Sequence, residues 1–225
     1  MDNNDILQLN VKKNIGQFIT IEGVDGTGKS THTKFIVDEI KKRYDKEVIS
    51  TREPGGTKAA EKIREFILAD QGENFPVEAE ILLFNAARIF HVENLIKPSI
   101  NEGKVVVCDR FSDSTFAYQC AHGADFDSVN QIHQWALKGF HPDYTFFFFA
   151  SKEEIKKRIG ERIVKDRFDN EVDINEINEK KNNMFLKLMN TSKAKCFFVD
   201  SSGNKKDTEK QIIECLDHIF FKPIM

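Results

Sequence analysis

The sequence GVDGTGKS at residues 23–30, which follows the apolar run QFITIE at residues 17–22, decides the fold. It matches the phosphate-binding pattern GxxxxGK[ST] and lies where that pattern requires, between a predicted strand and a predicted helix. Glycines in such a loop turn backbone N–H groups towards phosphates, and the helix N-terminus adds a partial positive charge. Lys29 is therefore predicted to reach the β- and γ-phosphates of a nucleoside triphosphate, and the Ser30 hydroxyl to ligate Mg²⁺.

Short apolar runs alternate with helical patterns along the rest of the chain. After the first run, others lie at 47–51, 104–108, 144–150 and 196–200. They are rich in β-branched and aromatic residues, and FFFF within the fourth does not alternate with polar residues, which is typical of parallel strands buried on both faces. The predicted fold class is α/β, a doubly wound five-stranded parallel sheet flanked by helices, with ligands at the carboxyl ends of the strands. Helices are predicted at 30–44, 58–69, 77–97, 113–120, 127–138, from 152 onward, and at 208–220.

Composition narrows the class of protein. The 225 residues, 40% hydrophobic and 31% charged, fit one globular domain, predicted at 17–225 after a flexible N-terminal extension at 1–16. A formal net charge of −3 argues against a nucleic-acid partner. No secretory signal and no apolar run of membrane-spanning length are found, so no membrane partner is expected.

The cysteines indicate the compartment. Widely spaced cysteines without a CxxC pair predict reduced thiols in a cytoplasmic protein: Cys108, Cys120, Cys196 and Cys215.

Two adjacent motifs raise the alternative of a GTPase. DSSG at 200–203 and NKKD at 204–207 fit the patterns DxxG and NKxD. In a GTPase these motifs serve opposite ends of the nucleotide from the ends of different strands, whereas here they abut. One loop cannot supply both, so residues 201–207 are predicted to form the loop after the last strand.

Two longer motifs follow the second and third predicted strands, TREPGGT at 51–57 and DRFSDSTFAYQ at 109–119. In a parallel sheet both lie beside the phosphate-binding loop. Together with EGVDG at 22–26 they resemble thymidylate kinases of the bacterial type, and the resemblance covers nearly the whole chain. It implies transfer of the γ-phosphate of Mg-ATP to dTMP, a P-loop nucleoside monophosphate kinase fold with a short helical lid at about 152–170, and a homodimer.

The helix predicted at 77–97 carries a candidate base-binding pair. One arc of this helix, at about 100° per residue, is apolar and is expected to face the core: Leu82, Leu83, Ala86, Ile89 and Phe90. Phe84 and Arg88, four residues apart, point to the opposite side. The resemblance implies that Phe84 stacks on thymine and that Arg88 donates to its carbonyl oxygen. The residues alone equally allow a packed phenylalanine and a solvated arginine.

Planar guanidinium groups bind phosphate oxygens in pairs, so three arginines are candidates for the acceptor phosphate: Arg52, Arg64 and Arg110. The resemblance assigns Arg64 to the dTMP phosphate and places Arg110 between the two phosphates. A structural ion pair is the alternative for each. Glu53 and Pro54 are expected to shape the dTMP-binding loop, with Glu53 orienting an arginine. Asp109 is expected to hold Mg²⁺ through water or to orient Arg110.

The remaining dTMP contacts come from the resemblance. It places Asp25 near the acceptor ribose and the transfer centre, and it places Tyr118 beneath the sugar, where it disfavours a 2′-hydroxyl. Further positions line the thymine and its 3-NH edge: Ser114, Thr115 and Gln119. Core packing is the alternative for Thr115 and Tyr118.

Positive charge for the ATP side is predicted from the phosphate-binding loop and the lid. The loop residues are Gly23, Val24, Asp25, Gly26, Thr27, Gly28, Lys29, Ser30 and Thr31. Some thymidylate kinases have arginine at the position of Thr27, and the bacterial pattern supplies lid arginines instead, here Arg158, Arg162 and Arg167. The predicted catalytic set is Lys29, Asp25, Arg110 and Arg162. A solvated charged helix is the alternative for the lid arginines.

Other functions remain open at this point. A deoxynucleoside kinase, another pyrimidine nucleoside monophosphate kinase or a non-catalytic P-loop switch would share the phosphate-binding loop, although a nucleoside acceptor needs no arginine cluster. CAHG at 120–123 replaces the glycines and arginine usual in the family, which leaves nucleobase tolerance open. The histidines lack metal-ligand spacing, so Mg²⁺ is the expected cofactor, with ATP and dTMP as substrates.

Overall fold

The five predicted apolar runs form a single parallel sheet in the order β2–β3–β1–β4–β5. The computed structural model describes residues 16–69, 71–73, 75–160 and 174–221. Its strands are β1 Gln17–Glu22, β2 Val48–Arg52, β3 Val105–Asp109, β4 Tyr144–Phe149 and β5 Lys195–Asp200. In register, Ile21 lies between Asp109 of β3 and Phe146 of β4. The predicted fold class is confirmed, and the predicted N-terminal extension lies outside the described residues except for its last residue, Gly16.

Helices connect the strands and cover both faces of the sheet. They are α1 Lys29–Tyr44, α2 Lys58–Leu68, α3 Val77–His91, α4 Lys97–Asn101, α5 Ser112–Ala121, α6 Phe126–Leu137, α7 Lys152–Gly160, α8 Ile174–Thr191 and α9 Lys205–Phe220. The sequence predicted helix from 152 onward without separating α7 from α8, and residues 161–173 between them are not described. Within the described ranges, every helix is too short or too polar to span a lipid bilayer.

The run of phenylalanines in β4 shows why a parallel strand need not alternate. Phe146 and Phe148 pack on one face of the sheet, in the cluster that holds Ile36 of α1 and Leu216 of α9. Phe147 points to the other face and packs with Phe185 of α8. Because helices cover both faces, the successive side chains of Phe146, Phe147 and Phe148 are all buried.

The long helix predicted at 77–97 is interrupted. Helix α3 ends at His91, a π-helical turn spans Val92–Ile96, and α4 follows. In this turn the N–H of Lys97 donates to the carbonyl of Val92, five residues back. Pro98 has no N–H for the carbonyl four residues before it, so a regular hydrogen-bond ladder cannot pass through this segment.

The arc of α3 expected to face the core faces outward instead. Leu82 is 58% exposed and Phe90 43% exposed, whereas Arg88 is 2% exposed. A helical period shows that two faces differ but not which one is covered. Here the polar face is covered because its groups find partners in other segments of the chain. The prediction that these apolar side chains form core was therefore wrong.

Candidate active site

The phosphate-binding loop turns sharply between β1 and α1. Gly26 and Gly28 have φ values of 82° and 79°, in the left-handed region that side chains disfavour. Within this loop the Lys29 ammonium is 5% exposed and donates to the Val24 carbonyl at 2.7 Å. Burial, followed by the nearby charge of Arg110, lowers the pKa of Lys29 to about 8. The lysine thus lies folded against its own loop.

A cavity of about 280 Å³ opens on this loop and is called the phosphate cavity. It is lined by Asp25, Gly26, Gly28, Lys29, Ser30, Thr31, Asp109, Arg110 and Arg158. Among the predicted ATP-binding residues that the structure describes, three are not in its lining: Gly23, Val24 and Thr27. The Thr27 side chain is fully buried and donates to the Val24 carbonyl at 2.8 Å. Thr27 therefore braces the loop instead of presenting its side chain to a ligand.

Ser30 and Asp109, the predicted magnesium ligands, lie together at one wall of this cavity. The Ser30 hydroxyl donates to Asp109 Oδ2 at 3.0 Å. The second carboxylate oxygen, Oδ1, is buried and has no hydrogen-bond partner among the residues described. A hydroxyl and a carboxylate with a free oxygen suit a hard divalent cation such as Mg²⁺.

A second cavity, of about 250 Å³, lies beside the first and is called the acceptor cavity. Every residue predicted to bind dTMP lines it: Asp25, Arg52, Glu53, Pro54, Arg64, Phe84, Arg88, Arg110, Ser114, Thr115, Tyr118 and Gln119. Leu68 and Phe111 line it as well and were not predicted. The two long motifs, at 51–57 and 109–119, and one face of α3 therefore converge on the acceptor cavity.

Arg88 lines the acceptor cavity and is held by partners from both long motifs. Its Nε donates to Glu53 Oε2 at 2.6 Å, and the two side chains are 2% and 4% exposed. A terminal nitrogen, NH2, donates to the Thr115 hydroxyl at 2.9 Å and to the Phe111 carbonyl at 3.1 Å. The other, NH1, is buried and has no partner among the described residues. A buried guanidinium with one free donor is ready to meet an acceptor on a ligand.

Arg110 forms the centre of a second cluster and lines both cavities. Its NH2 group donates to Asp25 Oδ1 at 2.8 Å and to the Tyr118 hydroxyl at 2.9 Å. The Tyr118 hydroxyl in turn donates to Asp25 Oδ2 at 2.7 Å, and burial raises the pKa of Tyr118 well above its usual value. Arg110 has φ of 70°, an uncommon conformation for a residue with a side chain. Such outliers concentrate at functional sites.

The other two candidate arginines differ in their contacts. Arg52 forms a bidentate ion pair with Glu61, at 2.9 and 3.1 Å, so it makes the structural ion pair that was the alternative to phosphate binding. Arg64 donates to the Pro54 carbonyl at 2.9 Å. Both still line the acceptor cavity, which places two more positive charges at its rim.

Comparison with known proteins fits this geometry. A family model described as thymidylate kinase matches residues 21–212. The chain belongs to the thymidylate kinase family. A thymidylate kinase of Sulfurihydrogenibium sp. (strain YO3AOP1) is 38% identical over 203 residues, 90% of this chain and 97% of the relative. One of Finegoldia magna is 38% identical over 201 residues, 88% of this chain and 97% of the relative. The predicted family and the predicted enzyme class, an ATP-dependent nucleoside monophosphate kinase, are confirmed.

The structure adds site residues of the kinase that the sequence analysis did not select. Glu22, fully buried, accepts from the N–H of Phe111 at 2.7 Å and from the Ser114 hydroxyl at 2.6 Å, and burial raises its pKa. His91 lies between Glu53 and Thr51, with ring nitrogens at 3.0 and 2.8 Å. Glu80 contacts Gln119.

A signal for two of these residues was present in the sequence. Glu80, Phe84, Arg88 and His91 are spaced by four, four and three residues. This spacing puts all of them on one face of a helix.

Arg158 and the loop after β5 contact the phosphate-binding loop of the kinase, where ATP is expected to bind. Arg158 donates to the carbonyls of Gly26 and Ser201, at 3.2 and 2.8 Å, and its Nε to Glu154 at 2.8 Å. Asn204, of the GTPase-like NKKD, caps helix α9 by accepting from the N–H of Asp207 at 3.1 Å. That motif therefore has a local structural role. The predicted sites at Arg162 and Arg167 lie outside the described residues.

Proposed function

We propose that this member of the thymidylate kinase family transfers the γ-phosphate of ATP to dTMP, forming ADP and dTDP. The observation that carries the proposal is the wall between the two cavities. Both cavities are lined by Asp25, Ser30, Asp109 and Arg110. A phosphate bound on one side of this wall lies next to a phosphate bound on the other, which is what direct transfer requires.

The acceptor cavity supplies separate groups for each part of dTMP. Phe84 offers a ring face for the base, and the unpartnered NH1 of Arg88 is a donor for a base carbonyl. Arg52 and Arg64, at the rim, suit the phosphate. Tyr118, which lines the same cavity, is proposed to lie beneath the sugar and to disfavour a 2′-hydroxyl. The set favours a deoxynucleoside monophosphate over a nucleoside.

Transfer proceeds by direct attack of a dTMP phosphate oxygen on the γ-phosphorus. A new P–O bond forms at the acceptor as the bond to the β–γ bridging oxygen breaks, and ADP leaves with that electron pair. Arg110 at the shared wall and Lys29 in the loop stabilise the charge on the transferring group. Asp25, held by Arg110 and Tyr118, keeps the guanidinium in place. No protein nucleophile takes part.

Ser30 and Asp109 would hold Mg²⁺. The ion, when bound, neutralises part of the triphosphate charge and orients it. The unpartnered Oδ1 of Asp109 supports this assignment. Within the lid at about 152–170, Arg158 borders the phosphate cavity, and Arg162 and Arg167 are proposed to bring further positive charge as the lid closes and excludes water.

In the proposed homodimer a second copy of the chain covers the outward apolar face of α3. Leu82 and Phe90 lie on that face, 58% and 43% exposed. An apolar helix face of this kind is typical of a protein–protein contact. Leu82→Glu combined with Phe90→Glu is expected to convert a dimer to a monomer in light scattering after gel filtration. A wild-type chain that is monomeric at high micromolar concentration would contradict the homodimer.

A cytoplasmic location is proposed because the cysteines are unpaired. Cys108, Cys120, Cys196 and Cys215 are all free thiols. Free thiols of this kind are typical of a reducing compartment. Intact-mass measurement after thiol alkylation of protein taken directly from cells would test it, and a disulfide-linked species would contradict it.

The test of the activity is ADP production from Mg-ATP with dTMP, dUMP, UMP, CMP, GMP, thymidine or no acceptor. We expect turnover with dTMP far above the others, and its loss in Arg88→Ala and Arg162→Ala. Arg43→Ala, on the surface of α1, is the matched control and is expected to behave as wild type. Turnover without an acceptor, or with thymidine but not dTMP, would reject the proposal in favour of a nucleotide switch or a nucleoside kinase.

A further inference from the structure

The amide of Gln119 is oriented by a buried carboxylate. Gln119 Nε2 donates to Glu80 Oε2 at 3.0 Å, and the two residues are 1% and 5% exposed. Because the amide nitrogen of Gln119 donates to this carboxylate, the amide oxygen points away from Glu80. Gln119 also lines the acceptor cavity, so its carbonyl oxygen is the atom left to meet a ligand there.

Arg88 supplies the complementary group on the same cavity. Its Nε and NH2 are occupied by Glu53, Thr115 and the Phe111 carbonyl. Its NH1 is buried without a partner in the described part of the chain. The cavity therefore presents one fixed donor, from Arg88, and one fixed acceptor, from Gln119.

Pyrimidine bases differ at the edge that would meet this pair. Thymine and uracil carry a 4-carbonyl acceptor beside an N3–H donor, which matches the donor and the acceptor of the cavity. Cytosine carries a 4-amino donor beside an N3 acceptor, and both contacts fail. Buried polar groups left unpaired in this way cost enough to reject a wrong base strongly.

We propose that Glu80 determines the base specificity of this kinase by fixing the amide of Gln119, so that the acceptor site takes pyrimidine monophosphates with an N3–H and a 4-carbonyl and rejects cytosine. Glu80 is a positioning residue, since it acts through Gln119. The inference rests on the proposed function, because it concerns the same acceptor site.

Glu80→Gln is the direct test. A glutamine at this position can either donate or accept, so the Gln119 amide becomes free to turn over and to offer its nitrogen to the base. We expect kcat/KM for dTMP to fall by about 10- to 100-fold, mainly through KM, and the preference for dTMP over dCMP to fall by about tenfold or more. The preference for dTMP over dUMP is expected to stay constant, because these bases share the same edge.

Three further variants keep the test decisive. Glu78→Gln makes the same charge change at an exposed residue of the first turn of α3 and is expected to leave both preferences unchanged. Glu80→Asp retains a carboxylate and is expected to keep the discrimination against dCMP. The exchange Glu80→Gln with Gln119→Glu keeps a buried amide–carboxylate pair and turns an acceptor-only group to the cavity. It is expected to restore the preference for dTMP over dCMP.

The outcomes separate the two proposals. A wild-type enzyme inactive on dTMP would reject the proposed function itself. A folded Glu80→Gln variant that binds ATP normally and keeps wild-type discrimination against dCMP would reject only the role of Glu80. If Glu80→Gln does not fold, the exchange variant decides, and equal use of dCMP and dTMP by that variant would overturn the role.

Discussion

The two cavities meet at one wall but are built in different ways. In the acceptor cavity Arg88 is held by the side chains of Glu53 and Thr115, which belong to other segments. In the phosphate cavity Lys29 donates to a carbonyl of its own loop, at Val24. One site is prepared before its ligand arrives, and the other must exchange internal contacts for phosphate oxygens. We therefore expect the acceptor cavity to determine which substrate binds, and the phosphate cavity to rearrange when its ligand binds.

The largest expected effect lies where the two cavities join. Arg110→Met removes the guanidinium that lines both, and kcat is expected to fall about 1,000-fold, because charge stabilisation at the transferring group supplies much of this catalysis. Steady-state ADP release under saturating ATP and dTMP measures it. Arg43→Met, on the surface of α1, is the control. A change confined to KM for dTMP would place Arg110 on the acceptor side alone.

The second prediction compares the free energy of unfolding of two variants, one from each cavity. Arg88→Met leaves the Glu53 carboxylate buried without its main partner, and the free energy of unfolding is expected to fall by about 3 kcal/mol. Lys29→Met removes a buried ammonium whose desolvation opposes folding, so stability is expected to stay unchanged or to rise. Urea unfolding followed by circular dichroism measures both.

Adding Glu53→Gln to Arg88→Met is expected to recover part of the lost stability but none of the dTMP affinity. Equal stability losses in Arg88→Met and Lys29→Met would remove the distinction between the cavities.

The third prediction concerns pH on the donor side. The pKa of Lys29 is about 8 in the free enzyme, and a bound triphosphate favours the charged ammonium and raises that pKa. Binding above pH 8 therefore takes up a proton, and ATP affinity is expected to fall by up to about tenfold per pH unit there, with no contribution from Lys29 below pH 8. Calorimetric titration in buffers of different ionisation enthalpy measures the uptake. Lys29→Arg should abolish it, and its persistence in that variant would assign it to another group.

The smallest expected effect comes from removing two helix caps, one near each cavity. Thr57 Oγ1 caps α2 on the acceptor side at 3.3 Å, and Asn204 Oδ1 caps α9 near the donor side at 3.1 Å. Thr57→Ala and Asn204→Ala should each cost about 1 kcal/mol in thermal unfolding. Only Thr57→Ala should raise KM for dTMP, by about threefold, because α2 carries Arg64. Equal KM values in both variants would show that α2 is held by its neighbours and not by its cap.

Much of this arrangement could be predicted because it depends on strand ends. Strand β1 begins and ends at the predicted residues, Gln17 and Glu22. In a parallel sheet, motifs that follow neighbouring strands meet at one edge, so TREPGGT and DRFSDSTFAYQ could be placed beside the phosphate-binding loop without coordinates. The acceptor cavity then contains every residue predicted for it.

What could not be predicted depends on contacts between distant segments. The burial of Arg88 is stabilised by Glu53, Thr115 and the Phe111 carbonyl, which come from other segments of the chain. A helical period cannot show that such partners exist, so the apolar arc was assigned to the core. The supporting role of Thr27 likewise depends on contacts with Val24 and Ser201.

Because of the π-helical turn at Val92–Ile96, substrate binding depends on the number of residues in this segment. Upstream of it, α3 directs Arg88 into the acceptor cavity, and within it Val92 and Ile96 pack against Phe18 and Val106 of the sheet. Deleting one residue from the turn would rotate the two halves relative to each other by about 100°. Either the arginine or the sheet contact would then be lost. Deleting a single codon here would thus leave every binding residue present in the sequence but turn some of them away from the cavity. No substitution at the site does this.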